Sequence, residues 1–331
     1  MHFDAEIPAR SGSDDLVIRT AVTLAATASL AWGIADLLAG VWTRRVPVRV
    51  VLAYSKVAGF VAVALLAAVV GTRMPSDARL WWAALAGVAG VPAMGLLYLA
   101  IRRGPLAVVA PVAAGAALVP VVWDLAHGAR LSGAAVVGAG AALLGITLAS
   151  LPPGGLGRLR DLRTLPYAGL AAVLLGAYFV LLHEAGTVDP LWATVVARAS
   201  GAVTAVLVLA VPMRPTTTGE ADPTAAAGQT TATGRMAGPG RIRESGVAAL
   251  NRTAAFALVG ISFIGVLDAG ADRAFATASL IGGLGPAAVL SSLYPAVTVL
   301  LGIVLLRERV RGLHAVGVVA ALAGAALLGV G

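Results

Sequence analysis

The sequence predicts an all-α membrane protein in which about ten transmembrane helices form two inverted five-helix repeats. Hydrophobic residues make up 59% of the 331-residue chain and charged residues 12%. A soluble domain has about 45–50% and about 25% respectively, and the mean hydropathy here is +0.91. The apolar residues are gathered in long runs, and two pairs of these runs resemble each other.

Apolar runs separated by Gly, Pro and Arg define the predicted helices. A spanning helix needs about 20 mostly apolar residues. The predicted segments are 20–42, 47–70, 80–101, 104–123, 132–151, 166–186, 190–212, 253–281, 285–306 and 312–330. The separation of the fourth segment from the fifth is weak, since it depends on "WDLAHGAR" at 123–130 alone.

These segments divide the chain into a polar N-terminal tail, 1–19, a first five-helix repeat, 20–151, an inter-repeat loop, 152–165, and a second five-helix repeat, 166–331. The tail lacks the basic start and short apolar core of a cleaved signal peptide, so we expect the first apolar run to be a spanning helix. Within the second repeat, 216–246 is rich in Thr, Ala, Gly and Pro. It is predicted to be a disordered loop.

The first pair of similar runs is "YSKVAGFVAVALLAA" (54–68) and "VARASGAVTAVLVLA" (196–210). It aligns Lys56, the one lysine of the chain, with Arg198 at an offset of 142. Each run has a cation at its third position, a glycine three residues after the cation and then an apolar stretch. The repeat hypothesis makes Lys56 and Arg198 equivalent positions of the two halves.

A second pair matches "RRGPLAVV" (102–109) with "GLGPAAVL" (283–290) at an offset of 181. The two offsets differ by 39, which is close to the length of the polar loop inserted in the second half. An odd number of helices in each half inverts the second half in the membrane, a recurring plan of secondary transporters. Chance similarity between apolar runs of low complexity is the alternative.

Lys56 and Asp36 are charged residues inside predicted spans. Lys56 lies seven residues beyond Arg49, or about 10 Å deeper along a helix, and Asp36 lies eight residues before Arg44 on the preceding helix. A charge at the bilayer centre costs about 2.5–3.5 kcal/mol on insertion scales, so such residues face the protein interior and pair. We therefore predict an Asp36–Lys56 ion pair.

The second half has a corresponding group of charges. Asp268 and Asp272 are one turn apart, point from the same helix face and lie at a depth comparable to that of Arg198, so Arg198 is expected to pair with either. We expect these groups to bind a polar substrate or to carry a coupling proton. Static salt bridges, a snorkelling Lys56 and a short loop at 268–273 are the alternatives.

Aromatic residues on the predicted helices are candidates for the same pathway, with simple packing as the alternative. The candidates are Trp32, Tyr98 and Tyr178. Three tryptophans at segment ends are expected to anchor the protein at the membrane interface: Trp81, Trp82 and Trp123.

The basic residues lie between apolar runs, which argues against nucleic-acid binding despite the net charge of +8. Fifteen arginines, including Arg44, Arg103 and Arg241, fall on one predicted face, and five, including Arg19 and Arg79, fall on the other. The positive-inside rule makes the first face cytoplasmic and places both termini outside.

Several classes of activity lack their required residues. Without cysteine there is no disulfide, thiolate nucleophile or Cys-ligated metal, and the four histidines lie scattered along the chain. The chain has no GxSxG or HExxH pattern and no GxxxxGK[ST] loop for ATP. We therefore expect no cofactor, no metal and no enzyme activity, and any energy for transport would come from a gradient.

The C-terminal stretch "LSSLYPAVTVLLGIVLLRERVRGLHAVGVVAALAGAALLGVG" (290–331) resembles the last two helices of EamA-type members of the drug/metabolite transporter superfamily. "LAWGIADLLAGVWTRR" (30–45) is similar to the first helix of the same family. The matching residues are Trp32, Gly33, Asp36, Pro295, Glu308 and Gly317.

The resemblance implies a ten-helix, two-repeat carrier for small metabolites or drugs, often an exporter, with both termini cytoplasmic. The arginine distribution indicates the reverse, so the orientation stays open. Glu308 lies among Arg307, Arg309 and Arg311 and is expected to form a structural ion pair. Lys56 stands where the family tends to carry an uncharged polar residue such as Gln, which makes it a candidate specificity residue.

Together these observations predict a multi-pass secondary transporter of the plasma (inner) membrane that works by alternating access. Two opposed cations suit an anionic or zwitterionic metabolite such as an amino acid or organic acid, and a drug-like compound is the other expected substrate. Its partners would be this small molecule, the lipid bilayer and protons, with one carboxylate coupling transport to protons. A homodimer is left open, and a non-transporting membrane sensor or assembly partner is the alternative. The predicted cavity residues are Asp36, Lys56, Arg198, Asp268 and Asp272.

Overall fold

The computed structural model describes residues 12–43, 45–103, 112–129, 132–149, 165–211 and 241–306, with isolated residues between 312 and 327. Across this part of the chain the regular structure is helical, without a strand, which confirms the predicted all-α class. Six of these helices are long and apolar enough to cross a membrane. The protein is therefore a multi-pass membrane protein.

The helices of the N-terminal part follow the predicted order. They are α1 (Gly12–Trp42), α2 (Val48–Val70), α3 (Leu80–Arg103), α4 (Leu118–Ala126), which a 3-10 turn at Gly115–Ala117 precedes, and α5 (Gly133–Ala149). Gly71 ends α2 in the left-handed region, with φ of 74°. Gly128, with φ of 91°, lies between α4 and α5, so the weakly predicted break is present.

The C-terminal part contains α6 (Leu165–Gly186), α7 (Pro190–Ala210), α8 (Arg241–Gly282), α9 (Leu284–Ser291) and α10 (Tyr294–Leu306). The start of α7 is specified locally. Asp189 accepts hydrogen bonds from the backbone N–H groups of Leu191 and Trp192, and Pro190 occupies the first helical position.

The predicted helix at 285–306 is wrong in one respect, because the structure divides it into α9 and α10. Pro295, the second residue of α10, has no N–H to donate to the carbonyl of Ser291, and its ring clashes with that carbonyl in a continuous helix. The predicted count of ten spanning helices stays a prediction, since 104–111 and most of 307–331, including Glu308, lie outside the described residues. Gly317 is helical and buried.

Two helices begin earlier than predicted. The first, α1, starts at Gly12 rather than near 20, so the polar residues that precede the first apolar run already belong to the helix. Helix α8 starts at Arg241, directly after Pro239-Gly240, so the last six residues of the predicted loop 216–246 are helical. The rest of that loop, up to 240, lies outside the described residues.

The described helices have small side chains inside and large apolar side chains outside. Alanines such as Ala86 and Ala93 are fully buried, whereas Leu65 is 61% exposed, Val69 84% and Phe256 72%. A soluble protein rarely exposes contiguous apolar surface on this scale. Membrane helices pack through small residues because lipid supplies no hydrophobic drive to bury large ones.

Glycines set the closest helix crossings. A Cβ atom at Gly59 of α2 would lie 2.6 Å from the carbonyl oxygen of Gly265 on α8. Helix α3 contacts α7 in the same way, since a Cβ at Gly87 would overlap the backbone oxygen of Ala197, and Gly201 faces Gly87. These crossings bring the backbones of neighbouring helices into direct contact.

Gly265→Ala is expected to lower the free energy of unfolding by about 1–3 kcal/mol, because the new methyl group overlaps the carbonyl oxygen of Ser55 and forces α2 and α8 apart. Thermal unfolding in detergent micelles measures the change. Gly270→Ala is the matched control on the same helix, where nothing lies within 4 Å of the added atom. Equal unfolding temperatures for the two variants would contradict the packing argument.

Candidate functional site

A cavity of about 60 Å³ lies at the centre of the bundle, where α1, α2, α3, α6, α7, α8 and α10 meet. Five charged side chains face it: Asp36, Lys56, Arg198, Asp268 and Asp272. The remaining walls are aromatic or apolar, formed by Trp32, Gly90, Met94, Ala116, Leu175, Tyr178, Phe179 and Tyr294. The structure thus brings the five charged residues predicted from the sequence to one cavity.

Asp268 is shared by the two cations. Its Oδ2 lies 2.9 Å from Nζ of Lys56 and 2.5 Å from Nη1 of Arg198. The predicted Asp36–Lys56 pair is therefore wrong. The reason is the Gly59–Gly265 crossing, which brings α8 against α2 and places Asp268, one turn after Gly265, beside Lys56.

Arg198 also pairs with Asp272, as expected from their similar depth. Its Nη2 contacts Oδ2 of Asp272 and donates to the backbone carbonyl of Asp268 at 2.6 Å. The hydroxyl of Tyr178 donates to the same Asp272 oxygen. Arg198 and Asp272 are 2% and 1% exposed, so the ion pair is shielded from solvent and lipid.

Asp36 differs from the other two carboxylates. Within the described part of the chain it has no hydrogen-bonding partner and no cation within 4.0 Å. It interacts at longer range with Asp268 and Lys56, and with the hydroxyls of Tyr98 and Tyr294. Asp36 is thus a carboxylate that faces the cavity without a direct counter-ion.

Trp32 forms the centre of an aromatic wall. Its ring centroid lies 5.5 Å from that of Phe179 and 6.2 Å from that of Tyr294. Sequence reasoning placed neither Phe179 nor Tyr294 at the site. The sequence does contain a signal for both residues. Phe179 directly follows the candidate Tyr178, and Tyr294 directly precedes Pro295, the helix-interrupting residue. Tyr98 interacts with Asp36 electrostatically but is not among the residues that line the cavity.

The predicted interface anchors lie away from the cavity. Trp81 and Trp82, at the start of α3, are 74% and 46% exposed, and the indole of Trp123 donates to Glu184 at 3.1 Å. Nearby, outside the spans, hydrogen bonds from Arg79 lower the pKa of the partly exposed Asp77 carboxylate. Among the described residues there is no group of three or more His, Cys, Asp or Glu side chains suited to a metal ion.

In the described part of the chain, an apolar outer surface, six candidate spans and buried ion pairs around a cavity define a multi-pass helical membrane protein with a polar interior. Residues 19–151 match the model of the EamA-like transporter family. The chain is similar to this family over those residues. For this part of the chain, the match confirms the resemblance to EamA-type transporters found in the sequence.

A solved structure, described only as the crystal structure of a protein, shares the fold with a TM-score of 0.62. It is 23% identical in sequence, and the match covers 93% of this chain and 97% of the other. No curated protein matches the chain.

Proposed function

We propose that the protein is a secondary transporter that carries a small polar metabolite across the plasma membrane by alternating access. The observation that carries this proposal is the cavity whose charged walls come from both halves of the chain. Buried charges in a membrane protein are rare and mark substrate, ion or proton pathways. The family similarity of residues 19–151 supports the same conclusion. Export and proton coupling are parts of the proposal.

The glycine crossings support two inverted repeats. Gly59 contacts Gly265 across α2 and α8, and Gly201 contacts Gly87 across α7 and α3. Gly59 and Gly201 are the aligned glycines of the sequence repeat, 142 residues apart, while Gly87 and Gly265 are 178 apart. One helix–helix contact therefore occurs twice, with the roles of the two halves exchanged.

A second pair of crossings follows the same rule. A Cβ at Gly33 of α1 would lie 2.6 Å from Val297 of α10, and one at Gly176 of α6 would lie 2.6 Å from Val119 of α4. The offsets are 143 between the glycines and 178 between the valines. The second offset is three smaller than the 181 inferred from the apolar runs. Both pairs fit a twofold relation between the halves.

Two interrupted helices face the cavity at matched positions. The 3-10 turn at Gly115–Ala117 precedes α4, and the break at 292–293 separates α9 from α10. Ala116 and Tyr294, again 178 residues apart, both line the cavity. Interrupted helices at corresponding positions of the two halves are typical of the substrate sites of transporters with inverted repeats.

The ion pairs distinguish contacts within a half from contacts between halves. Arg198 and its two carboxylates all belong to the second half, whereas the Lys56–Asp268 pair joins α2 of the first half to α8 of the second. A rocking motion of the halves would leave the first set intact and change the second. Lys56 is thus positioned to report or control which side of the cavity is open.

Purified protein in proteoliposomes tests the proposal by the flux of labelled amino acids, organic acids and drug-like compounds. For a proton-coupled exporter, an acidic lumen should drive accumulation of substrate, because protons leave as substrate enters. Asp36→Asn and Asp272→Asn are each expected to lower this flux at least tenfold, whereas Asp77→Asn, on the surface outside the spans, keeps it. Normal transport in both cavity variants would make the carboxylates structural, and no flux with any compound would favour the sensor alternative.

A further inference from the structure

We propose that the ligand of the cavity carries an ammonium group, held by Asp36 as its counter-ion and by the aromatic wall of Trp32 and Tyr294. The assignment rests on the proposed transport function only in the claim that this ligand is carried across the membrane. It differs from the sequence-based expectation of an anionic or zwitterionic metabolite, which rested on the two opposed cations Lys56 and Arg198.

The charges that line the cavity disfavour an anionic ligand. Three carboxylates and two cations line it, so the walls are negative by one charge when all five are ionised. Lys56 pairs with Asp268, and Arg198 pairs with Asp268 and Asp272. An anionic ligand would have to displace a carboxylate from Lys56 or Arg198, leaving a buried charge without its partner.

A cationic ligand displaces nothing. Asp36 has no direct partner within the described residues, and Lys56, the cation that interacts with it at longer range, is engaged with Asp268. The cation that follows Asp272 in sequence, Arg273, donates to Thr277 of its own helix and does not line the cavity. The carboxylate of Asp36 is therefore the free charge that an ammonium group would meet.

The aromatic wall supplies the second interaction. Trp32 is 9% exposed and faces the cavity with Tyr294, whose ring lies edge-on to it at a centroid distance of 6.2 Å. An ammonium group within about 6 Å of an indole or phenol face is attracted by the negative charge of the ring face. Trp32 and Asp36 are one turn apart on α1, so ring and carboxylate act on the same side of that helix.

The volume limits the part of the ligand that enters. One water molecule needs about 10–15 Å³ by this measure, so the 60 Å³ of the cavity holds a group of a few heavy atoms. A branched ammonium head group of the size of tert-butylammonium fits this limit. A larger substrate would place its ammonium end here and would need the cavity to widen for the rest.

Three probes of similar shape and different charge test the proposal by calorimetric titration of the purified full chain in lipid nanodiscs: tert-butylammonium, tert-butanol and pivalate. In a mildly alkaline buffer that keeps the carboxylates ionised, the cation is expected to bind at least tenfold more tightly than the other two. Asp36→Asn should weaken cation binding at least tenfold, and Trp32→Phe should weaken it less. Asp77→Asn is the matched control, because Asp77 is partly exposed, pairs with Arg79 and does not line the cavity, so this change should leave binding unchanged.

Stronger binding of pivalate, equal binding of tert-butanol, or cation binding unchanged in Asp36→Asn would overturn the proposal. The comparison of the three probes on the unaltered protein decides the question even if a variant does not fold. Cation binding without flux in proteoliposomes would contradict the transporter and leave the ammonium site in place. Flux of anionic compounds with no cation binding would support the transporter and overturn the ammonium site.

Discussion

Replacing Arg198 by Gln is expected to lower the free energy of unfolding by about 3–5 kcal/mol, the range found when one partner of a buried ion pair is removed. Arg198 is the direct cationic partner of Asp272, which is 1% exposed, and it also holds Asp268. Glutamine retains hydrogen-bonding groups but has no charge to balance the buried carboxylate. Denaturant titration in micelles, followed by circular dichroism, measures the loss.

Two further variants separate the charge effect from a packing effect. Arg198→Gln combined with Asp272→Asn removes one charge of each sign and should recover much of the lost stability. Lys56→Gln should be milder than Arg198→Gln, because Asp268 keeps Arg198 as a partner and the Lys56 side chain is more exposed, at 15% against 3%. If the double variant is as unstable as Arg198→Gln, the destabilisation does not come from the unbalanced carboxylate.

Trp32→Ala is expected to destabilise the protein by about 3–5 kcal/mol, the range for truncating a large buried aromatic side chain. The indole packs against Phe179 and Phe275 with centroid distances of 5.5 and 6.0 Å, and Phe275 is fully buried. Removing the ring joins the space it occupied to the existing cavity. The unfolding midpoint in micelles measures the effect.

Trp81→Ala is the matched control, since Trp81 is 74% exposed at the start of α3 and its loss opens no internal space. Trp32→Phe should fall between Trp32→Ala and the unaltered protein, because a smaller ring retains part of the contact with Phe179. A midpoint for Trp32→Ala equal to that of Trp81→Ala would show that the aromatic wall contributes little to stability.

The sequence was sufficient to predict the depth of the charged residues in the membrane, but it was not sufficient to predict all of their ion-pair partners. Helical spacing placed Asp36 at the depth of Lys56, and Asp268 and Asp272 at the depth of Arg198, and all five residues line the cavity. The choice of Asp268 over Asp36 as the partner of Lys56 depends on which helix approaches α2 at Gly59. The depth of a residue along its own helix does not show which other helix packs beside it, because that contact is set by the tertiary structure.

The interruption at 292–293 was also missed, for a different reason. The run 285–306 is apolar throughout, so hydropathy predicts one span and does not register a local break. Pro295 was the available signal, because proline disrupts the hydrogen bond to the residue four positions earlier. Tyr294 reaches the cavity from this interruption, and its role at the site could be found only after the break was known.

The interior of alanines has a consequence for motion. Long interdigitated side chains lock two helices in register, because each must change rotamer before the helices can slide. Faces of methyl groups, such as those of Ala83, Ala93 and Ala276, have shallow relief and resist sliding much less. The helices can then stay in contact at the glycine crossings while their alanine faces slide past each other. Shear between packed helices therefore requires little repacking of the core.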